Sequence, residues 1–475
     1  MELLVEKICC IGAGYVGGPT MAIIADKCPN ILINVVDINE ERIAAWNDSN
    51  LDKLPIYEPG LKEVIKRCRN RNLFFSNRIK ENISNADMIF ISVNTPTKKK
   101  GIGAGQASDL KWIEASARQI GKYGKGQTIV VEKSTLPVKT AQIIKSILLS
   151  STMPQELKKD DDKSFYILSN PEFLAEGSAI DDLQNPDRVL IGGENDDAIS
   201  ALKKIYLNWV GEDKILTTDL WSSELSKLIA NAFLAQRVSS INSISALCES
   251  TNANINEVSR AIGMDSRIGK YFLKAGPGFG GSCFKKDILN LIYICNHYGI
   301  YEVASYWEKV IEINNWQQNR IVKIILDKLF GNIAGKKIAI FGFAFKANTN
   351  DTRESPAITI CKGLIEEGSI LSIYDPKVKI DQIKKDLEMY PMKKNSSNSD
   401  NGFWEFSDSI YNAVINADAI VILSDWNEFY DMKYDLLINK MRKPSWIFDT
   451  RNAANIDAAK KSGFKLWCIG NGDLN

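Results

Sequence analysis

Histidine is almost missing from this chain: 475 residues include one, His297. It stands just before Gly299 at the end of a helical pattern, where a cation suits the helix dipole. Proton-transfer chemistry is therefore left to lysine, aspartate, glutamate or water. An excess of either charge is also missing. Lys plus Arg number 59 against 58 Asp plus Glu, a formal net charge of +1, which gives no electrostatic case for a nucleic acid or a membrane surface as partner. No apolar run approaches the ~20 residues of a membrane span. No signal-peptide pattern precedes the first strand, so a cytoplasmic location is expected. The nine cysteines are an odd set without metal-ligand spacing, and Cys9 and Cys10 lie inside an apolar strand. No disulfide, structural zinc or other metal is expected.

What is present begins with length, enough for two or three domains. Residues 7–11 read as a buried strand, and Gly12-Ala13-Gly14-Tyr15-Val16-Gly17 then fits GxGxxG ahead of an amphipathic helix reaching about Lys27. The motif gains weight from a second apolar strand, 31–36, which ends in Asp37, twenty positions after Gly17. That is where a dinucleotide fold needs an acid for the ribose hydroxyls. A carboxylate there repels a 2′-phosphate, so NAD is expected rather than NADP, with Arg42 as an adenosine-side contact.

Strand and helix signals then alternate, with strands at 73–75, 88–93, 128–131, 166–168 and 189–191. The pattern predicts a parallel sheet with helices on both faces. Two strands end in polar turns, Asn94-Thr95-Pro96-Thr97 and Glu132-Lys133-Ser134-Thr135, at the edge where such sheets bind ligands. The stretches 98–105 and 151–164 read as solvated, mobile loops. Glu172 and Glu176, four apart after Asn170-Pro171, read as acids on one face of a turn opening the next helix; taken alone, such acids are usually at the surface.

From Leu220 to about Glu249 there is neither proline nor glycine, and apolar residues fall nearly all round, which predicts a buried helix of roughly 45 Å. Lys227 and Asn231 stand one turn apart on it. A buried lysine is costly unless paired, and desolvation eases loss of its proton. A helix over 304–329 leads to a second α/β unit without GxGxxG, with strands at 337–342, 370–374, 419–423 and 445–448. Lys346, Arg353 and Arg451 stand at its strand or loop ends, suited to a diphosphate. The Asn- and Ser-rich stretch 393–402 reads as a flexible insert.

Between these parts lies Gly278-Phe279-Gly280-Gly281-Ser282-Cys283-Phe284-Lys285-Lys286-Asp287. A lone cysteine is usually a small core hydrophobe. Here glycines allow close approach, a helix starts just after the sulfur, and Lys285 and Lys286 add positive charge. The helix start and the two lysines favour a thiolate, and the glycines leave it open to a substrate.

The segments GAGYVGGPT from Gly12, SVNTPTK from Ser92, EKSTLPV from Glu132, SNPEFLAEGSAI from Ser169, SSELSKLIANAFLAQR from Ser222, GFGGSCFKKD from Gly278 and GFAFK from Gly342 together resemble the UDP-glucose/GDP-mannose dehydrogenase family. The closest resemblance is to its eukaryotic UDP-glucose 6-dehydrogenase branch, over nearly the whole chain. It implies an α/β protein of two Rossmann-like, doubly wound parallel-sheet domains, 1–219 and 335–475, joined by a central helical region, 220–334, with one long helix. It also implies four-electron oxidation of a UDP-sugar alcohol using two NAD⁺. Cys283 would be the nucleophile, Lys227 and Asp287 the proton carriers, Asn231 an oxyanion donor, and Thr135 and Glu172 would position water. NAD would meet Gly12, Gly14, Tyr15, Val16, Gly17, Asp37, Arg42, Val93, Asn94, Thr95, Pro96, Thr97, Ser134, Thr135, Glu176, Lys286 and Arg353. UDP-glucose would meet Glu172, Phe173, Leu174, Ala175, Lys227, Asn231, Lys274, Phe279, Gly280, Phe345, Lys346 and Arg451, with Arg267 reaching in from a neighbouring subunit. A homo-oligomer is implied, a dimer sharing the long helix or a hexamer of such dimers. Alternatives are the same chemistry on GDP-mannose or UDP-N-acetylmannosamine, and a non-catalytic nucleotide-sugar sensor.

Overall fold

The computed structural model describes residues 3–134, 139–152, 164–391 and 402–474. The position of Thr135, most of the 151–164 stretch and nearly all of 393–402 lie outside these residues. The chain forms two compact units, Met1–Ala230 with Leu289–Tyr298, and Asn231–Ile288 with Gly299–Asn475.

In the first unit the strands are β1 (Lys7–Ile11), β2 (Leu32–Val36), β3 (Leu73–Ser76), β4 (Met88–Ile91), β5 (Gln127–Glu132), β6 (Ser164–Ser169), β7 (Val189–Gly193) and β8 (Ile215–Thr218). Their order is β3-β2-β1-β4-β5-β6-β7-β8. Pairing is parallel from β3 through β6, β7 meets β6 antiparallel, and β8 runs parallel to β7. Reversal of β1-β2-β3 against β4-β5-β6 puts the topological switch beside β1, where such sheets bind ligands. The central strand shows why helices cover both faces. Ile8 and Cys10 join one buried cluster, and Cys9 and Ile11 another. With side chains alternating along a strand, a continuous apolar run can only be a strand buried on both sides.

The second unit repeats the plan. Strands β9 (Lys337–Phe341), β10 (Ile370–Tyr374), β11 (Phe403–Phe406), β12 (Ala419–Ile422), β13 (Trp446–Asp449), β14 (Lys465–Cys468) and β15 (Gly472–Asp473) take the order β11-β10-β9-β12-β13-β14-β15. All pair in parallel except β15. Ile338 and Ile340 face one cluster, Ala339 and Phe341 the other.

The repeat extends to atomic detail. Gly12 and Gly342 both follow the first strand of their sheet with positive φ, 109° and 91°. A Cβ on Gly12 would lie 2.3 Å from the Ser92 carbonyl oxygen, and one on Gly342 would lie 1.8 Å from Ser424 Oγ. Asp37 and Asp375, each just beyond the second strand, accept from the glycine loops: Asp37 from Ala13 N at 2.9 Å, Asp375 from Phe343 N at 2.7 Å and Ala344 N at 3.0 Å. Both units therefore carry the strand-turn-acid geometry of a nucleotide fold, although only the first spells GxGxxG.

Two expectations about connecting segments change. The 98–105 stretch is tied down rather than loose. Lys98 N donates to Ala107 O and Gly105 N to Lys98 O, both at 2.8 Å, and Thr97 bridges to Ser108. The long helix, Leu220–Thr251, is not buried all round in the single chain, since Leu225, Phe233, Ile244 and Leu247 are 40–58% exposed. At 100° per residue these four fall within one arc of about 100°, an uncovered apolar stripe.

Candidate active site

The glycine loop of the first unit separates three jobs. Gly12 needs its φ. A Cβ on Gly17 would sit 2.0 Å from the Gly12 carbonyl oxygen, so this residue permits close packing of helix Gly17–Lys27 on β1. A Cβ on Gly14 would meet nothing of the chain within 4 Å, so internal packing does not require glycine there. Close approach of a ligand does, at a helix start where anions are favoured. These residues fit a dinucleotide's pyrophosphate. Tyr15 packs half-buried against the core, and Val16 caps the helix without a side-chain bond.

Asp37 is buried. Its Oδ1 accepts from Asn39 N at 2.9 Å, and its Oδ2 from Arg42 Nη1 at 3.0 Å as well as from Ala13. Arg42 thus sits on the acid itself. Beyond β4, Thr95 is buried, Pro96 O accepts from Asp109 N at 2.7 Å, and Ser134 Oγ donates to Val93 O at 2.8 Å. That bond ties the turn Val93-Asn94-Thr95-Pro96-Thr97 to the end of β5. Asp37→Ala is expected to weaken NAD binding about tenfold or more, since a hydrogen bond to a charged group contributes roughly 1.5–3 kcal/mol. Calorimetric titration checks this, and unchanged affinity would refute the ribose role.

The 170–178 segment corrects an expectation. It is not a helix start. The helix begins at Ala179, and Glu58 accepts from Gly177 N and Ala179 N ahead of it. Glu172 is no surface acid: it is buried, and its Oε2 accepts from Leu174 N at 2.9 Å and from Lys227 Nζ at 3.2 Å. Glu176 lies in the following turn. The Phe173 ring lies under Arg188 at 3.8 Å and under Lys227 at 5.4 Å. Ala175 N donates to Asp182 at 2.8 Å. Glu172 and Lys227 therefore form a buried pair beside the half-buried Phe173 ring, reached from two segments 55 residues apart.

In the second unit, Cys283 immediately precedes the helix Phe284–His297, and its carbonyl accepts from Asp287 N at 2.8 Å, so it occupies the N-cap position. It is partly exposed, while the other eight cysteines are buried. Burial pushes Cys9, Cys10, Cys28, Cys68, Cys361 and Cys468 well above the ordinary thiol range. Ser282 Oγ lies 3.4 Å from the Cys283 sulfur. Asn231 Nδ2 donates to Asp287 Oδ2 at 2.6 Å, and Lys286 Nζ approaches Asp287 Oδ1 at 3.9 Å. Lys285 is held by Glu354 at 2.8 Å, which offsets the charge expected of it near the thiol.

The glycines before Cys283 are needed for packing as well as for approach. A Cβ on Gly280 would lie 2.6 Å from Glu354 O and 2.9 Å from Phe345 Cβ, and Gly281, at φ 84°, donates from its N to Arg353 O at 2.8 Å. Asn314 holds both backbone groups of Phe279, accepting from N at 2.7 Å and donating to O at 3.2 Å.

The same unit gathers most of the expected sugar-nucleotide residues. Lys274 pairs with Asp425 at 3.1 Å. Arg451 donates to Leu423 O at 2.9 Å and to Phe345 O at 2.8 Å, bridging the loops after β12 and β9. Burial pushes the Asp425 carboxyl up, but Arg451 and Lys274 outweigh it and leave the net shift downward. Lys346 lies over the Phe345 ring at 5.5 Å. Two expected cations differ from the rest. Arg353 closes its fork on Asp351 at 2.6–3.0 Å. Arg267 is exposed and bound to Asp265, away from this cluster.

Sequence reasoning set Lys133 at the ligand-binding edge and Asn170 ahead of Glu172 without giving either a role, and missed the buried polar network that they form with Tyr206. The available signal was a lysine at the ligand-binding end of an otherwise apolar strand. Among the described residues no group of His, Cys, Asp or Glu is placed to hold a metal, and no helix is long and apolar enough to cross a membrane.

A dinucleotide fold with a buried acid after its second strand, a second nucleotide-type fold on the same chain and a partly exposed cysteine at a helix start define the class as a nucleotide-dependent oxidoreductase. Residues 6–210, 221–316 and 339–456 match, in turn, the NAD binding, central and UDP binding domains of the UDP-glucose/GDP-mannose dehydrogenase family. The chain is 53% identical over 476 residues to UDP-glucose 6-dehydrogenase 3 of Oryza sativa subsp. japonica, covering 98% of this chain and 97% of that one. It is 52% identical over 479 residues to UDP-glucose 6-dehydrogenase 4 of Arabidopsis thaliana, with the same coverage. A solved UDP-glucose dehydrogenase from the archaeon Pyrobaculum islandicum superposes with a TM-score of 0.80 at 26% identity, covering 97% of this chain and 98% of that one. This chain belongs to the UDP-glucose/GDP-mannose dehydrogenase family and is an NAD-dependent dehydrogenase.

Proposed function

We propose that the enzyme oxidises the C6 alcohol of UDP-glucose to the carboxylate of UDP-glucuronate, both oxidations at one site and through a covalent bond to Cys283. The observation that carries this reading is the setting of Cys283: the one partly exposed thiol, at the N-cap of a helix on a loop of close-packed glycines. A one-hydride dehydrogenase has no use for such a sulfur.

Bound NAD supplies the hydride acceptor for each oxidation, held by Gly12, Gly14, Gly17, Asp37 and the 93–97 turn. Lys227, in its neutral form, takes the hydroxyl proton of C6 in the first. The resulting aldehyde is a poor hydride donor until the Cys283 thiolate adds to its carbon, forming an S–C bond and a tetrahedral oxyanion. Asn231 and protonated Lys227, one turn apart on Leu220–Thr251, supply donors for that oxyanion. Asp287, bonded to Asn231 at 2.6 Å, orients the amide and serves as proton relay. Loss of the second hydride leaves a thioester. Water positioned by Glu172 and Thr135 attacks it, the S–C bond breaks, and thiolate and carboxylate separate. Each sugar gives up four electrons as two hydrides, which two NAD⁺ accept, and takes up one water.

Lys274, Phe279, Gly280, Phe345, Lys346 and Arg451 hold the nucleotide sugar in this reading, and the division 1–219, 220–334 and 335–475 assigns cofactor, chemistry and UDP to successive segments. The exposed stripe Leu225, Phe233, Ile244 and Leu247 supports a homodimer along the long helix, with Arg267 exposed to reach a neighbour; sedimentation velocity tests the dimer. The cytoplasm is the proposed location. The deciding experiment counts NADH per sugar consumed and compares UDP-glucose with GDP-mannose and UDP-N-acetylmannosamine. A ratio near two with UDP-glucose preferred is expected, and a ratio near one contradicts the mechanism.

A further inference from the structure

Lys133 is 3% exposed, and its ammonium donates to Asn170 Oδ1 at 2.9 Å and to Tyr206 Oη at 3.2 Å. Tyr206 Oη donates to the same amide oxygen at 2.6 Å, and Asn170 Nδ2 donates to Leu190 O at 2.8 Å. All of these partners are neutral. An ammonium in such a shell is costly, and a methionine of similar length would fill the space without that cost. Packing alone does not explain a lysine here.

Its surroundings supply a reason. Asn170 stands two residues before Glu172 in the loop after β6, and Glu172 is the partner of Lys227 at 3.2 Å. Burial pulls Lys133 down to about 8, Glu172 works against that shift, Lys227 adds to it, and Cys10 opposes it. The groups facing Lys133 are thus Glu172 from the loop after β6, Lys227 from the long helix, Cys10 from β1 and Tyr206 from helix Asp196–Tyr206. Lys227 in turn faces Glu172 and the Phe173 ring. Two ammonium groups are held near one carboxylate, where their like charges repel each other.

We infer that Lys133 is a positioning residue: it fixes Asn170 and with it the loop that carries Glu172, and its charge disposes Lys227 to give up its proton. The inference rests on the proposed role of Lys227 as proton acceptor. Lys133→Gln keeps a polar partner for Asn170 and removes the charge. Its kcat should fall about tenfold at neutral pH and recover in alkali, because the rising limb of the kcat profile moves up by about one pH unit. KM for NAD should stay within about twofold of the parent, as the charge acts on Lys227 and not on the cofactor. A loss of equal size at every pH, with the limb unmoved, would mark a merely structural residue and overturn the inference. Should Lys133→Gln fail to fold, Tyr206→Phe decides. It withdraws one partner from the ammonium, so an upward move of the limb supports the inference and an unmoved limb overturns it. Lys227→Ala separates the two claims. If it retains the limb, the base assignment itself is wrong; if it erases the limb while Lys133→Gln leaves it in place, only the inference about Lys133 falls.

Discussion

Replacing Cys283 with alanine is expected to abolish formation of the sugar acid, by at least roughly 10³-fold, while NAD affinity and folding stay at the parent level. The loss follows from the chemistry: without sulfur the aldehyde carbon reaches a tetrahedral state able to release a second hydride only by unassisted addition of water. Folding should survive because the residue is partly exposed, at the start of a helix, and the change removes one sulfur atom from the surface rather than from the core. Product chromatography and NAD titration check the two halves. Loss of both acid formation and NAD binding would make Cys283 structural.

The second large effect concerns Lys227. Lys227→Met is expected to lower kcat by about 10³-fold, within the range for removing a positioned acid-base group, with little change in KM for the sugar. It should also destabilise the fold by about 3–5 kcal/mol, because Glu172 is left buried opposite an apolar side chain. The two effects separate in the double variant Lys227→Met with Glu172→Gln. That pair restores a neutral interior and should regain most of the stability, but none of the turnover. Recovery of both would show that Lys227 serves the fold alone.

Local pattern carried the fold a long way. The run Ile8-Cys9-Cys10-Ile11 has one solution, a strand buried on both faces, and a turn of glycines followed at fixed distance by Asp37 makes that strand the first of a dinucleotide fold. Strands β8, β11, β14 and β15 were not legible. Each has four residues or fewer, and β8 lies at the sheet edge with only its first residue buried, so no apolar pattern marks it out.

The site was legible where chemistry is local. Cys283, its glycines and the helix behind it lie within ten residues. Pairings formed by tertiary structure were not. Nothing near Glu172 announces that Lys227, 55 positions on, neutralises it, and nothing near Lys285 announces Glu354, 69 positions on. Those pairings turn a supposed surface acid into a buried one and offset a charge assigned to the thiol. The role of Lys133 escaped notice for the same reason, since its partners lie 37 and 73 positions away.

The central claim is a covalent bond between Cys283 and C6 of the sugar during turnover. Glu172→Gln should slow hydrolysis, so that acid-quenched, protease-digested enzyme shows the peptide containing residue 283 heavier by the mass of the UDP-glucuronoyl group. The account predicts that adduct, absent in Cys283→Ala. Acid formation continuing at a measurable rate, with the peptide never modified, would contradict it.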